Sequence, residues 1–128
     1  MCTINGVTYD KSITSLDLSN TKIEDISALA ELSKLEQLYL NDTQVTDVSA
    51  LAGLTNLKEL NLFNAKVEDI SALAKLTNLE VLNLGYTPVE DLSALAELTN
   101  LKELNLFNAK VEDISALAAL SNLKIYQY

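Results

Sequence analysis

The segment LTNLKELNLFNAKVEDISALA stands at residues 54–74 and again, unchanged, at 98–118. The copies lie 44 residues apart, and sliding the chain by half that distance gives a second match. LSKLEQLYLNDTQVTDVSALAG (32–53), LTNLKELNLFNAKVEDISALAK (54–75), LTNLEVLNLGYTPVEDLSALAE (76–97) and LTNLKELNLFNAKVEDISALAA (98–119) follow one another without a gap. A degenerate first unit runs over 10–31 and a truncated sixth over 120–128, so the period is 22 residues. A fixed period of this length makes each unit one supersecondary element that packs only on its neighbours.

Within the third unit the apolar positions are Leu54, Leu57, Leu60, Leu62, Val67, Ile70 and Leu73, and the other units repeat them closely. Leu60-Asn61-Leu62-Phe63 alternates as a strand does. Too short to form a sheet alone, it pairs in parallel and in register with the same segment of the next unit, about 4.8 Å away. The tail Asp-Ile-Ser-Ala-Leu-Ala predicts a short helical or 3₁₀ return, with Ser27, Ser49, Ser71, Ser93 and Ser115 as its N-caps. One unit cannot bury its apolar side chains, but a stack buries them in one column. At ~1.5–3 kcal/mol per buried aliphatic side chain, the burial is offset mainly by the entropy of ordering the unit. The expected fold is an α/β solenoid of about six parallel strands on one face and short 3₁₀/α turns on the other. Its expected parts are an N-terminal cap over 1–9, five repeats over 10–119 and a truncated sixth over 120–128.

The pattern L-x-x-L-x-L-x-x-N/C-x-L is filled by Leu57-Lys58-Glu59-Leu60-Asn61-Leu62 and Val67, and it resembles the leucine-rich repeat. The phrase Val45-Thr46-Asp47-Val48-Ser49-Ala50-Leu51 resembles the 22-residue class of bacterial internalin-like proteins, over residues 10–128. The resemblance implies a curved sheet on a concave face and a partner bound there. Separately, the chain has no histidine for general-base work, no Gly-rich phosphate loop and no G-x-S-x-G, so no catalysis is expected. One position departs from the family. Its ladder asparagine, three residues after the second strand leucine, is here Thr21, Thr43, Ala65, Thr87 and Ala109. Alanine side chains cannot hydrogen-bond, so in those units the backbone must bond itself or a water must intervene.

Composition removes several function classes. The formal net charge is −9, which repels phosphate backbones and argues against nucleic acid and anionic membrane. No apolar run is long enough to span a membrane. The N-terminal MCTINGVTYDK lacks an apolar signal core, which leaves a cytoplasmic protein or a fragment of a secreted or surface protein. With one cysteine and no histidine there is no zinc constellation and no internal disulfide, and no cofactor motif is present. Cys2, without a histidine partner, reads as a mobile bystander thiol. Glu59 and Glu103 share an outward strand position two units apart, and read as solubilising charges rather than an acid–base pair. The column Asp25, Asp47, Asp69, Asp91 and Asp113 reads as local backbone caps rather than a Ca²⁺ site.

The ends need covers. Thr3-Ile4-Asn5-Gly6-Val7-Thr8 reads as a hairpin cap, with an unfolded leader as the alternative. Carrying the 22-residue spacing to the end puts Tyr126 and Tyr128 at core positions, as aromatic covers, and Ile125 and Gln127 outward. The last strand then offers a free edge and a weak homodimer contact, opposed by the net charge. Two origins produce so faithful a copy of 21 residues: a recent tandem duplication, or a consensus-built array serving as a scaffold without a ligand.

Most outward strand positions are small or polar, as a solvated face requires. The exceptions are Phe63 and Phe107, the only phenylalanines, with Gly85 and Tyr86 between them, Val81 on the strand of Gly85, and Tyr39 further along. Two rings flanking a glycine form either the walls of a slot or lids lying on neighbouring side chains. Tyr39, Phe63, Val81, Gly85, Tyr86 and Phe107 are the candidate partner-binding residues for a protein ligand.

Overall fold

The computed structural model describes residues 1–127. Two strands, β1 (Cys2–Ile4) and β2 (Val7–Tyr9), form an antiparallel hairpin. Its turn takes φ of 52° at Asn5 and 80° at Gly6, the two positive values that an Asn-Gly turn supplies at least cost. Six strands follow as a parallel sheet in chain order: β3 (Ser15–Asp17), β4 (Gln37–Tyr39), β5 (Glu59–Asn61), β6 (Val81–Asn83), β7 (Glu103–Asn105) and β8 (Lys124–Tyr126). Between them run 3₁₀ turns at Ser27–Glu31, Ser49–Leu51, Ser71–Lys75, Ser93–Leu95 and Ser115–Leu117.

The core is the aliphatic column that the period demands. Leu38, Leu60, Leu82 and Leu104 are in mutual register at the centres of their strands, and each is buried. Leu35, Leu57, Leu79 and Leu101, ahead of the strands, and Leu51, Leu73 and Leu95, in the 3₁₀ turns, are buried in the same column. The hairpin is joined to this core by Cys2 and Ile4. Cys2 is therefore not the mobile thiol its position suggested: it is 1% exposed, and its Sγ donates to the carbonyl of Ala28 at 3.2 Å. Burial raises its pKa, keeping it in the protonated form.

Three local details differ from the sequence reading. First, the serines of the turns are not N-caps. Each is already the first residue of its 3₁₀ turn, and the residue before it makes no side-chain cap bond. The cap is the aspartate two residues earlier: Oδ1 of Asp25, Asp47, Asp69, Asp91 and Asp113 accepts the N–H of the serine at 2.8–2.9 Å. These bonds hold all five carboxyl pKa values below the usual aspartate value.

Second, the inter-repeat amide ladder lies elsewhere. Nδ2 of Asn56, Asn78 and Asn100 donates to the carbonyls of Ser33, Thr55 and Thr77, one repeat back, at 2.8–3.0 Å. At the expected ladder column, Thr21, Thr43 and Thr87 donate their hydroxyls to Leu18, Leu40 and Leu84. The alanine units close the same turn with backbone: the N–H of Ala65 and Ala109 donates to Leu62 and Leu106, both at 3.0 Å.

Third, the last strand slips by one residue. The pairs Glu103↔Lys124, Leu104↔Ile125 and Asn105↔Tyr126 are offset by 21, where the other strand pairs are offset by 22. Because side chains alternate along a strand, a one-residue slip exchanges the two faces. Ile125 now packs against the core, and Tyr126 faces outward at 50% exposure. Branched aliphatic Ile125 suits the column of leucines, whereas the 22-residue register would bury a phenol there and leave Ile125 wet. Tyr126 is thus not an inward cover, and the assignment made to Tyr128 lies outside the described residues.

Candidate interaction surface

The outward face of the sheet is built column by column. One column reads Asp17, Tyr39, Asn61, Asn83, Asn105 and Tyr126 across the six strands. Its polar members serve the fold: Oδ1 of Asp17, Asn61, Asn83 and Asn105 accepts the N–H of the residue two further on, at 2.8–2.9 Å. Tyrosine has no acceptor at that reach, so Tyr39 and Tyr126 are the two members of the column released from this duty. The hydroxyl of Tyr39 instead donates across the sheet to Oε2 of Glu59 at 3.0 Å. Burial first, and that bond second, raise the Tyr39 pKa.

The next outward column carries Phe63, Gly85 and Phe107, and beyond it lies a column of left-handed residues. Asn20, Asp42, Asn64, Tyr86 and Asn108 take φ of 57°, 58°, 58°, 54° and 54°. Four of the five are Asn or Asp, which tolerate this region; Tyr86 is the one bulky residue forced into it. Its N–H is fixed by the carbonyl of Phe107 at 2.8 Å, as Asn64 is fixed by Gly85 at 2.9 Å. The repeat geometry thus imposes the strained backbone, and Tyr86 is held to it.

The slot between the phenylalanines is not open. Tyr86 fills it: its ring meets Phe63 edge-on with centroids 5.2 Å apart, and Phe107 at a tilt with centroids 5.4 Å apart. Phe63 also lies over Gly85. A Cβ added there would stand 2.9 Å from Cδ2 of Phe63 and 3.1 Å from Cε2. Gly85 is needed for this close approach rather than for backbone freedom. The result is a continuous aromatic ladder Phe63–Tyr86–Phe107. The outer rings are half-buried and the middle one is 44% exposed.

Of the six candidate residues, Phe63, Gly85, Tyr86 and Phe107 form this one cluster. Tyr39 and Val81 line an adjoining shallow groove of about 110 Å³ with Glu59, Asn61 and Asn83. The structure adds a residue that the sequence reading missed. Tyr126 joins the outward face in the strand next to Phe107, owing to the slip. The signal was available in Ile125, which the strict period left facing water. Along the flank of the sheet, Glu36 pairs with Lys58 at 3.7 Å and Glu80 with Lys102 at 3.4 Å. These exposed pairs contribute little stability. Glu59 and Glu103 flank Val81 in register, one held by Tyr39 and the other exposed. Among the described residues no group of acidic side chains and Cys2 is arranged to hold a metal ion.

A 22-residue leucine period folded as a six-stranded parallel sheet with short 3₁₀ returns defines a leucine-rich repeat solenoid. The chain belongs to the leucine-rich repeat family: the model described as "Leucine Rich repeats (2 copies)" matches residues 11–53, 33–75 and 55–97. No curated protein sequence matches the chain. Among solved structures it is similar to internalin C2 of Listeria monocytogenes, with 42% identity and a TM-score of 0.87 over 92% of this chain and 53% of that one. It is also similar to the internalin InlF of the same organism, with 30% identity and a TM-score of 0.63 over 92% of this chain and 48% of that one. It is therefore an internalin-like repeat of bacterial type, and it spans about half the length of the structures it matches.

Proposed function

We propose that the chain is a non-catalytic protein-interaction module that binds its partner on the concave face through the Phe63–Tyr86–Phe107 ladder. Val81 and Tyr39 extend the contact on one side and Tyr126 on the other. The observation that carries this reading is Tyr86. A ring in a backbone position suited to asparagine, 44% exposed and packed edge-on and tilted between two further rings, costs the fold something and offers a rigid aromatic anchor. The side-chain oxygens of the outward asparagines are occupied by backbone bonds, and the rings supply the apolar surface that a partner would desolvate on this face. The test is selection of binding peptides from a random displayed library against the full chain. Binders should lose affinity on Phe63→Ala with Phe107→Ala, and should keep it on Lys75→Gln, far from the sheet. Unchanged affinity of the double variant contradicts the reading.

A weaker self-association belongs to the same reading. Ile114 is 39% exposed, although its counterparts Ile26 and Ile70 are buried, and β8 has a free edge among the described residues. Sedimentation at two concentrations should show a small dimer fraction that grows with salt, as the repulsion of −9 per chain is screened. A one-chain mass throughout contradicts it.

A further inference from the structure

The turn position just after the Thr/Ala column reads Lys22, Gln44, Lys66, Pro88 and Lys110. Where the third and fifth repeats carry a long lysine, the fourth carries the compact ring of Pro88. The missing side chain leaves a hollow of about 280 Å³, bordered by Lys66 and Lys110 and backed by Tyr86, Pro88 and Asn108. The two lysines sit two strand spacings apart, about 10 Å. No carboxylate lines this hollow. The hollows of comparable size along the 3₁₀ turns are lined by Asp91 and Asp113 and by Asp47 and Asp69. In a chain with twice as many acidic as basic residues, a carboxylate-free hollow between two lysines is the exception. Among the described residues the ion pairs are made by Lys11, Lys58 and Lys102, and neither Lys66 nor Lys110 takes part.

Tyr86 belongs both to this hollow and to the aromatic ladder, so the two surfaces are continuous. We propose that the hollow receives a side-chain carboxylate from an acidic segment of a protein partner, held between Lys66 and Lys110 beside the ring of Tyr86. The assignment to a protein rests on the interaction reading above; the anion site itself stands on the lysines and on Pro88. The net charge of the chain opposes an acidic partner at long range. At physiological salt that field is screened beyond about 8 Å, and the two nearest lysines dominate at contact.

The experiment is an amide NMR titration of the full chain with blocked triglutamate, against blocked triglutamine and sodium sulfate at matched ionic strength. Triglutamate should give saturable shifts confined to Lys66, Tyr86, Thr87, Asn108 and Lys110. Lys66→Gln with Lys110→Gln should weaken binding about three- to tenfold, and Lys22→Gln with Lys75→Gln, the same charge removed elsewhere, should not. Pro88→Lys is the deciding variant. It places in the fourth repeat the residue that the third and fifth already carry, so it folds, and it fills the hollow while adding positive charge. The proposal expects weaker binding; stronger binding would show that diffuse charge, not the hollow, attracts the peptide. Absent shifts, an equal loss in the Lys22/Lys75 variant, or the same shifts with sulfate also overturn it. Phe63→Ala with Phe107→Ala should leave the triglutamate shifts in place, so failure of the aromatic reading remains separately visible.

Discussion

The ring of Tyr86 stands edge-on against that of Phe63, with centroids 5.2 Å apart, although the two residues come from successive repeats. Tyr86 reaches that place from a left-handed backbone with φ of 54°. Left-handed backbone costs a bulky residue about 1–2 kcal/mol, and each ring pair returns about 0.5–1.5 kcal/mol. The two effects are of similar size, so Tyr86→Asn should change stability by less than about 1 kcal/mol. Tyr86→Ala, which keeps the strain and loses the rings, should cost about 1–2 kcal/mol. Urea unfolding of both variants decides; equal losses would mean that no strain is stored at Tyr86.

Gly85 and Phe63 form a second coupled pair. In Gly85→Ala the new methyl would meet Phe63 Cδ2 at 2.9 Å and Asn83 Oδ1 at 3.2 Å. The ring must then move away from Tyr86, at a cost of about 0.5–1.5 kcal/mol. In a Phe63→Ala background the same substitution should cost less, since only the contact with Asn83 Oδ1 remains. A double-mutant cycle with no coupling would show that the ring gives way freely.

The slipped register of β8 predicts opposite outcomes for neighbouring residues. Ile125→Asp places a charge against the core and should destabilise by about 1–3 kcal/mol, while Tyr126→Asp, on the wet face, should change stability by about 0.5 kcal/mol or less. The 22-residue register predicts the reverse, so one thermal melt of each variant separates them.

The five aspartate caps set an acid limit. Their folded pKa values lie below the ordinary aspartate value. A lowered folded pKa contributes stability that is complete above the unfolded value, about 3.9, and is lost as pH falls through the folded one. Melting temperature should fall below pH about 4. Asp69→Asn should reduce the difference between pH 7 and pH 2.5; a slope unchanged by that variant would remove the caps from the account.

The sheet and its order were legible because a gapless 22-residue period leaves one way to stack the units. The outward placement of Phe63 and Phe107 followed from strand alternation alone. Periodicity said nothing of how rings meet, so the filling of the slot by Tyr86 was not legible. The clue lay in the column Asn20, Asp42, Asn64, Tyr86, Asn108, where a tyrosine replaces residues suited to a left-handed turn. The slip escaped for a different reason. Extending a period assumes a constant offset, whereas the final strand settles by which side chain the column accepts, and it accepts Ile125. The aspartate column was legible as local backbone caps; the error was to give the serine a cap as well, since the serine N–H is the very group that the carboxylate two residues earlier holds.

The central claim is that the aromatic ladder is what a partner grips. The most direct measurement is the affinity of library-selected peptides, or of a partner once captured, for the triple variant Phe63→Ala, Tyr86→Asn, Phe107→Ala, with its unfolding curve recorded alongside. The account predicts a folded variant whose affinity falls by about a hundredfold or more, as loss of clustered aromatic anchors does. A folded variant that binds as tightly as the parent chain would contradict it.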